Sequence, residues 1–397
     1  MKRMWVLVML IALAALCFSM QIFAGDLARG DMNGDGKVDS DDAIYLLRHT
    51  MLPDQYPLAC DHETEIDAGF APTCTEPGIT EGSHCTSCGA IVVAQEEIPA
   101  LGHHYIDHIC SNCGDVKASE GLAFTSNGDG TCYVSGIGTY TDTDIVIPAK
   151  SPAGDTVTSI GDYAFYNCSG LASVTIPDSV TSIGFAAFAL CDRLTSVTIP
   201  DSVTSIGDEA FYYCRSLTSV TIGDSVSTIG DSAFEWCSSL ASVTIGDSVT
   251  SIGRYAFSGC SSLTSVTIPD SVSTIENFAF YQCSSLTSVT IPDSVTSIGK
   301  SAFYQCSSLT SVTIPDSVTS IGDSAFCYCS SLTSVTIPDG VTTIGWYAFY
   351  DCDSLTSVTF SDTSTWYVGG SVIDVTDPAQ NAIYLKSTYR DYYWYKK

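Results

Sequence analysis

The chain has 397 residues, 44 acidic against 15 basic, and a formal net charge of -29. A surface this acidic repels phosphate backbones and anionic lipid headgroups, which argues against nucleic acid and anionic membranes as partners. Only 15% of residues are charged and 45% are hydrophobic, so the chain has ample material for a core.

Lys2 and Arg3 precede an apolar run from Met4 to Cys17, and Ile22-Phe23-Ala24 ends on a small residue at a position suited to cleavage. Residues 1–24 therefore read as an export signal, with an uncleaved anchor as the alternative. Bulky Leu16 before Cys17 argues against a lipoprotein. The remainder has no spanning run, so the expected location is extracellular, free or held at the surface by a partner.

Residues 25–58 contain Asp31-Met-Asn-Gly-Asp-Gly-Lys-Val-Asp-Ser-Asp-Asp42. Asp31, Asn33, Asp35, Asp39 and Asp42 supply side-chain oxygens at loop positions 1, 3, 5, 9 and 12. Lys37 offers its carbonyl and Gly36 the sharp turn, so the expected cofactor is calcium. Asp at position 12, the adjoining Ala43-Ile-Tyr-Leu-Leu47 and the Arg48-His49 end together resemble a dockerin repeat. That resemblance implies a cohesin-type scaffold partner, with Ser40, Asp41 and Arg48 near the contacting positions. Dockerins carry two such units and this chain shows one, so a purely structural calcium site is the alternative.

Residues 59–116 are rich in Cys and His. Cys85-Thr-Ser-Cys88-Gly and Cys110-Ser-Asn-Cys113-Gly are two knuckles at a spacing that can place four thiolates around zinc. Cys60, His62, Cys74, His84, His103, His104 and His108 surround them. Disulfides in an oxidising compartment are the rival reading. Either role is structural, since so short a segment with few aliphatics needs a staple.

Residues 117–159 are irregular, with a hairpin signal at Asn127-Gly-Asp-Gly130, and read as the N-terminal cap of a repeat array. From 160 to 361 one 23-residue sentence recurs nine times, with Phe at 165, 188, 211, 234, 257, 280, 303, 326 and 349 and Cys three residues after each. Strict self-similarity at this period specifies a solenoid. In the copy Leu309–Ser331, apolar groups occupy positions 1, 4, 6, 10, 13, 17, 18 and 21. One coil cannot bury that set alone, whereas stacked coils can. The opening Leu-x-x-Val-x-Ile alternates as a strand, and nine of them at ~4.8 Å spacing give a parallel sheet roughly 40 Å long. Equivalent cysteines in adjacent coils have parallel Cβ vectors, so buried free thiols are expected rather than bridges. Cys327 falls at a variable position and is expected to be exposed.

The array resembles bacterial leucine-rich repeats of the BspA type, mostly surface or secreted proteins of host-associated microbes. The resemblance implies a leucine-rich repeat solenoid with adhesion or ligand binding as its work.

Identity between coils fails at positions 15, 16, 19 and 20, which carry Tyr163, Tyr212, Tyr213, Trp236, Tyr255, Tyr304, Trp346 and Tyr347 among others. Aromatics at variable exposed slots offer large rigid contact area at low entropic cost, the chemistry of a protein- or glycan-binding surface. Mere tolerance at these slots is the alternative. The Thr/Ser strand face, such as Thr287, Ser288 and Thr290, is the competing surface.

After Phe360 the repeat stops, and 362–397 reads as a second cap with a short helix opened by Thr376-Asp-Pro-Ala379. All six histidines precede the array, so its many Ser and Asp residues have no His to complete a hydrolytic set. The chain reads as a secreted non-enzymatic binding protein, tethered through calcium to a cohesin-type partner or acting as a free adhesin.

Overall fold

The computed structural model describes residues 40, 41, 43, 44, 63–86, 91–106, 109–114, 117–362 and 364–396. The export signal, Asp31, Asn33, Asp35, Lys37, Asp39, Asp42, Arg48 and Cys88 lie outside the described residues. Of the docking positions, Ser40 and Asp41 are described, helical and exposed. The chain divides into two compact units, Met1–Asp115 and Val116–Lys397.

The first unit is built from short antiparallel pairs. Strand Gly82–Cys85 lies between Thr64–Asp67 and Ile91–Val93. Gly78–Ile79 pairs with Glu97–Ile98, and Tyr105–Ile106 with Ile109–Cys110. Among its described residues the buried apolar side chains are Cys74, Cys85 and Cys110 alone, while Ile66, Phe70, Ile91, Val93 and Leu101 face solvent. These described residues form no aliphatic core.

The second unit is the expected leucine-rich repeat solenoid. Each coil contributes two strands. The first is the anticipated one, Ser196–Ile199 and its equivalents, with Val and Ile buried and Ser and Thr outward. The second is a Ser-Ile or Thr-Ile pair, such as Ser205–Ile206, which sequence alone does not separate from the coil's turns. These short pairs form the longer sheet. Fourteen strands run from the hairpin Ala123–Ser126/Thr131–Gly136 through nine parallel steps, the first with a register shift at Val157/Ser159 and the other eight in register, ending on the antiparallel strands Trp394–Lys396, Trp366–Val368 and Ser371–Ile373.

The anticipated nine-strand sheet is instead two five-strand sheets, parted between Ser242–Thr244 and Ser265–Thr267. The coil interface there is looser. Thr264 N donates to Ala241 O at 3.4 Å and Ser273 N to Thr250 O at 3.4 Å, whereas the next interface has 3.0 Å for both equivalents. Val243 is only half-buried at this seam.

All eight apolar positions of the repeat are buried, from Leu309 to Cys329 in that copy. The phenylalanines stack in one column, with ring centroids 5.1 Å apart from Phe165 to Phe234 and 5.5 Å across the seam between Phe257 and Phe280. Beside them the Cys three residues after each Phe, from Cys191 to Cys352, donates its S–H to the Phe carbonyl one coil back, for example Cys260 to Phe234 at 3.2 Å. No disulfide joins the described cysteines. Cys327 is buried, not exposed, and Cys168, in the first coil, is half-buried.

At the far end Asp377 caps the helix Pro378–Ile383 by accepting from Ala379 N and Gln380 N. Asn381 is fully buried and donates to Val358 O of the last coil. Lys396 reaches Asp362 at 2.7 Å, holding the final strand in place.

Candidate functional site

Between the second strand and the Cys, each coil turns twice. Slots 16 and 20 have φ near +60° in all nine coils, from Tyr163 and Asn167 to Tyr347 and Asp351, with glycine only at Gly259. The reason is the inter-coil ladder. Residues 16, 18 and 20 donate N–H to carbonyls 15, 17 and 19 of the next coil, as Tyr213 does to Glu235 and Phe211 to Ala233, both at 2.8 Å. Left-handed backbone at a residue with a side chain costs about 1–2 kcal/mol. The ladder offsets that cost, and the slots present their side chains in rows.

The aromatics of slots 16, 19 and 20 contact one another along the array. Tyr255 stacks on Phe278 at 4.5 Å, Phe278 meets Tyr281 edge-on, and Tyr281 stacks on Tyr304 at 4.8 Å. Tyr304, Tyr328, Tyr350 and Tyr347 continue it edge-to-face. The result is an unbroken aromatic ridge over the last five coils. A second group joins Tyr212, Tyr213 and Trp236, with Arg215 over the Tyr213 ring at 4.8 Å. Tyr163 pairs with Tyr166 and Phe185.

The sequence marks Tyr163, Trp346 and Tyr347 as exposed, and they are. Tyr212, Tyr213, Trp236, Tyr255 and Tyr304 are half-buried instead, because each leans on its neighbour's ring. Burial pushes the Tyr212 and Tyr304 phenols above the ordinary tyrosine range. Phe278, Tyr281 and Tyr328 also belong to the ridge, although sequence reasoning does not single them out; they occupy the same variable slots, which is the signal available.

On the Thr/Ser face the hydroxyls are partly occupied. Thr287 Oγ1 donates to Thr264 O at 3.1 Å and Thr310 Oγ1 to Thr287 O at 3.2 Å, a pattern repeated coil after coil. A donor committed to the backbone is lost to a ligand, so this face is poorer in recognition chemistry than its composition suggests.

The first unit gathers a different group. Glu76 N donates to Thr73 Oγ1 at 2.9 Å, fixing the turn that carries Cys74. Leu101 N and Gly102 N donate to Thr73 O and Cys74 O, which brings His103 beside Cys74. The Tyr105–Ile106/Ile109–Cys110 hairpin then folds back, and Gly114 N closes the knuckle on Cys110 O at 2.9 Å. The donor atoms of Cys74, His103, Cys110 and Cys113 all lie within 4.8 Å of one another. Backbone N–H groups of Asn112 and Cys113 hold the Cys110 thiol well below its ordinary range, while a hydrogen bond with Cys113 and burial push Cys74 up.

This group differs from the knuckle pairing read from spacing, whose Cys88 lies outside the described residues. Cys110 and Cys113 do come together, but with Cys74 and His103. Among the described residues Cys85 is not part of this group; its strand pairs with Thr64–Asp67.

The described histidines, His84, His103 and His104, all belong to the first unit, and His84 is held by Asp67 at 2.8 Å. Among the described residues no helix is long and apolar enough to cross a membrane.

A leucine-rich repeat protein of Bacteroides ovatus is 31% identical over 62% of this chain and 71% of its own, with a TM-score of 0.47. The leucine-rich repeat protein of T. pallidum is 27% identical over 54% of this chain and 90% of its own, with a TM-score of 0.43. A leucine-rich cell surface protein of Faecalibacterium prausnitzii is 29% identical over 62% of this chain and 94% of its own, with a TM-score of 0.32. No curated protein matches the chain. The family model described as BspA type leucine rich repeat region matches residues 145–264 and 250–368, more than half of the chain. With its stacked coils and 23-residue period, the chain thus belongs to the BspA-type leucine-rich repeat proteins, a class that points to non-catalytic binding.

Proposed function

We propose that the protein is an exported binding protein whose aromatic ridge, Tyr255 to Tyr350, recognises a protein or glycan target. One observation carries this reading: the rings at the variable slots join into one continuous surface, and four of them, Tyr255, Phe278, Tyr328 and Tyr347, are retained at backbone positions that favour glycine. Packing of the core does not call for them, since the buried phenylalanine column is complete without them. Rigid stacked rings suit both sugar faces and apolar protein anchors.

The finer part of the proposal concerns tethering. The Asp31–Asp42 loop binds calcium and, with Ser40, Asp41 and Arg48, docks to a cohesin-type scaffold. The single loop-helix copy supports a second reading, a free or surface-associated adhesin in which calcium only stabilises the N-terminal segment.

Two measurements test these readings. The full chain and a Tyr281→Ser/Tyr304→Ser/Tyr347→Ser variant are applied to arrayed glycans and to immobilised extracellular matrix proteins and mucins. Retention by the parent and loss by the variant is expected. Equal retention, with loss on Thr290→Ala/Thr313→Ala instead, moves recognition to the Thr/Ser face. Binding to immobilised cohesin modules with and without calcium then decides between tether and free adhesin.

A further inference from the structure

The thiol cluster of the first unit has donor spacings suited to a metal ion. Tetrahedral zinc, with bonds of about 2.3 Å to sulfur and about 2.0 Å to nitrogen, sets sulfurs about 3.8 Å apart and sulfur and nitrogen about 3.5 Å apart. Here Cys74 Sγ and Cys110 Sγ are 3.8 Å apart, and Cys113 Sγ and His103 Nδ1 are 3.4 Å apart. These are two opposite edges of that tetrahedron. We propose that Cys74, His103, Cys110 and Cys113 form a structural zinc site that closes the first unit.

Three further features fit it. The donor set is three soft thiolates and an imidazole, which selects zinc over calcium or magnesium. The knuckle Cys110-Ser-Asn-Cys113-Gly is closed by Gly114 N donating to Cys110 O at 2.9 Å, which holds its two sulfurs on one side of the turn. And the described residues of the unit form no aliphatic core, so its four ligands supply what burial does not. They come from three separate stretches, the turn at Cys74, the segment at His103 that leads into the Tyr105–Ile106 strand, and the knuckle, and one ion would tie all three. Four protein ligands leave no open position, so the site is structural and not catalytic.

The assignment differs from a pairing of the two Cys-x-x-Cys knuckles, which would give four sulfurs. X-ray absorption on the zinc edge of the full chain, purified without chelator, reads the ligand set with no substitution needed. About one zinc per chain, with three sulfurs and one nitrogen in its shell, is expected. Four sulfurs overturn the ligand set. Absence of zinc, together with disulfide-linked peptides containing Cys74, Cys110 or Cys113, overturns the site itself.

Variants give a second reading. Cys85→Ser should keep the metal and the cobalt(II) charge-transfer spectrum. His103→Cys should keep the metal and shift that spectrum towards a four-thiolate site, whereas an unshifted spectrum excludes His103 as a ligand. Loss of metal from Cys85→Ser counts equally against the proposal. Chelation should expose Cys113 and then Cys74 to alkylation at rates at least tenfold above the zinc form while the solenoid melts unchanged; equal rates with and without zinc contradict it.

Discussion

The six-membered ring of Trp236 lies where a side chain on Gly259 would stand: a Cβ built on that glycine falls 2.5 Å from Cε3 and 2.7 Å from Cδ2 of the indole. Gly259 fills slot 20 of its coil, the slot that Trp236 fills one coil earlier, and its φ is +73°. The absence of a side chain in one coil is what lets the neighbour's ring settle half-buried. Gly259→Ala should therefore destabilise the solenoid by about 1–2 kcal/mol, from left-handed strain and a displaced indole. The double variant with Trp236→Ala should recover the part due to the ring, as a thermal double-mutant cycle will measure. Additive effects would mean that ring and glycine do not interact.

Removing a ring from the phenylalanine column should depend on where it is removed. Phe257→Ala and Phe280→Ala each lose transfer energy and leave a cavity, about 3–5 kcal/mol. They flank the interface where the outer sheet parts and both ladder bonds lengthen to 3.4 Å. In a nearest-neighbour array the weakest interface separates first. Calorimetry should show two transitions for these variants and one for Phe188→Ala, whose sheet is continuous on both sides. A single transition for all three would place the cooperative unit above the seam.

Ser324 stands at slot 16 with φ +54° and is a clean probe of backbone strain, since its small side chain has no part in the ridge. Ser324→Gly should stabilise by about 0.5–1 kcal/mol, the left-handed cost less the extra unfolded-state entropy of glycine. Ser324→Ala should be neutral within about 0.5 kcal/mol. Urea midpoints at constant m decide it. If glycine is no better than alanine, the ladder has removed the strain and the argument for selected side chains at these slots weakens.

The terminal clamp should make the last coil acid-sensitive. Burial alone would raise the Asp362 carboxyl, but the Lys396 ammonium and the Ser364 hydroxyl outweigh it and hold the group below its ordinary value of 3.8. With a folded pKa below the unfolded one, the unfolded chain binds more protons in that interval. The clamp's contribution is thus complete above the ordinary carboxylate pKa and is lost as pH falls through the lower folded value. Hydrogen exchange at Trp394–Lys396 should rise on that acid side in the parent. Asp362→Asn should show raised exchange already at neutral pH, with a flatter acid dependence.

Much of this fold is legible in the sequence because repetition multiplies weak signals. A single Leu-x-x-Val-x-Ile is ambiguous, but nine copies in register with an invariant Phe and Cys leave one architecture. What repetition does not reveal is local. Ser205–Ile206 is too short to read as a strand, and only its hydrogen bonds to the neighbouring coils make it one. The left-handed slots are hidden because Tyr163 or Trp236 carries none of the glycine signature that usually marks them. In the first unit, spacing suggests that knuckle pairs with knuckle, whereas the partners of Cys110 are chosen by the backbone bonds that carry residues 101–102 to 73–74. Such non-local pairing has no periodic trace in a sequence. Phe278, Tyr281 and Tyr328 are equally inconspicuous within their own coils, because the row they complete exists only between coils.

The hydrogen bonds that join coils recur at the coil period, as in Thr181 to Thr158 and Thr204 to Thr181, so each coil offers the same donors below and the same acceptors above. An in-frame loss of residues 286–308 would leave every such group matched and set Phe278 and Tyr281 directly against Tyr328. The nearly identical coding units that specify these coils are substrates for unequal recombination. A lineage can therefore shorten, lengthen or reorder its aromatic surface in one heritable step, without first passing through a chain that fails to fold.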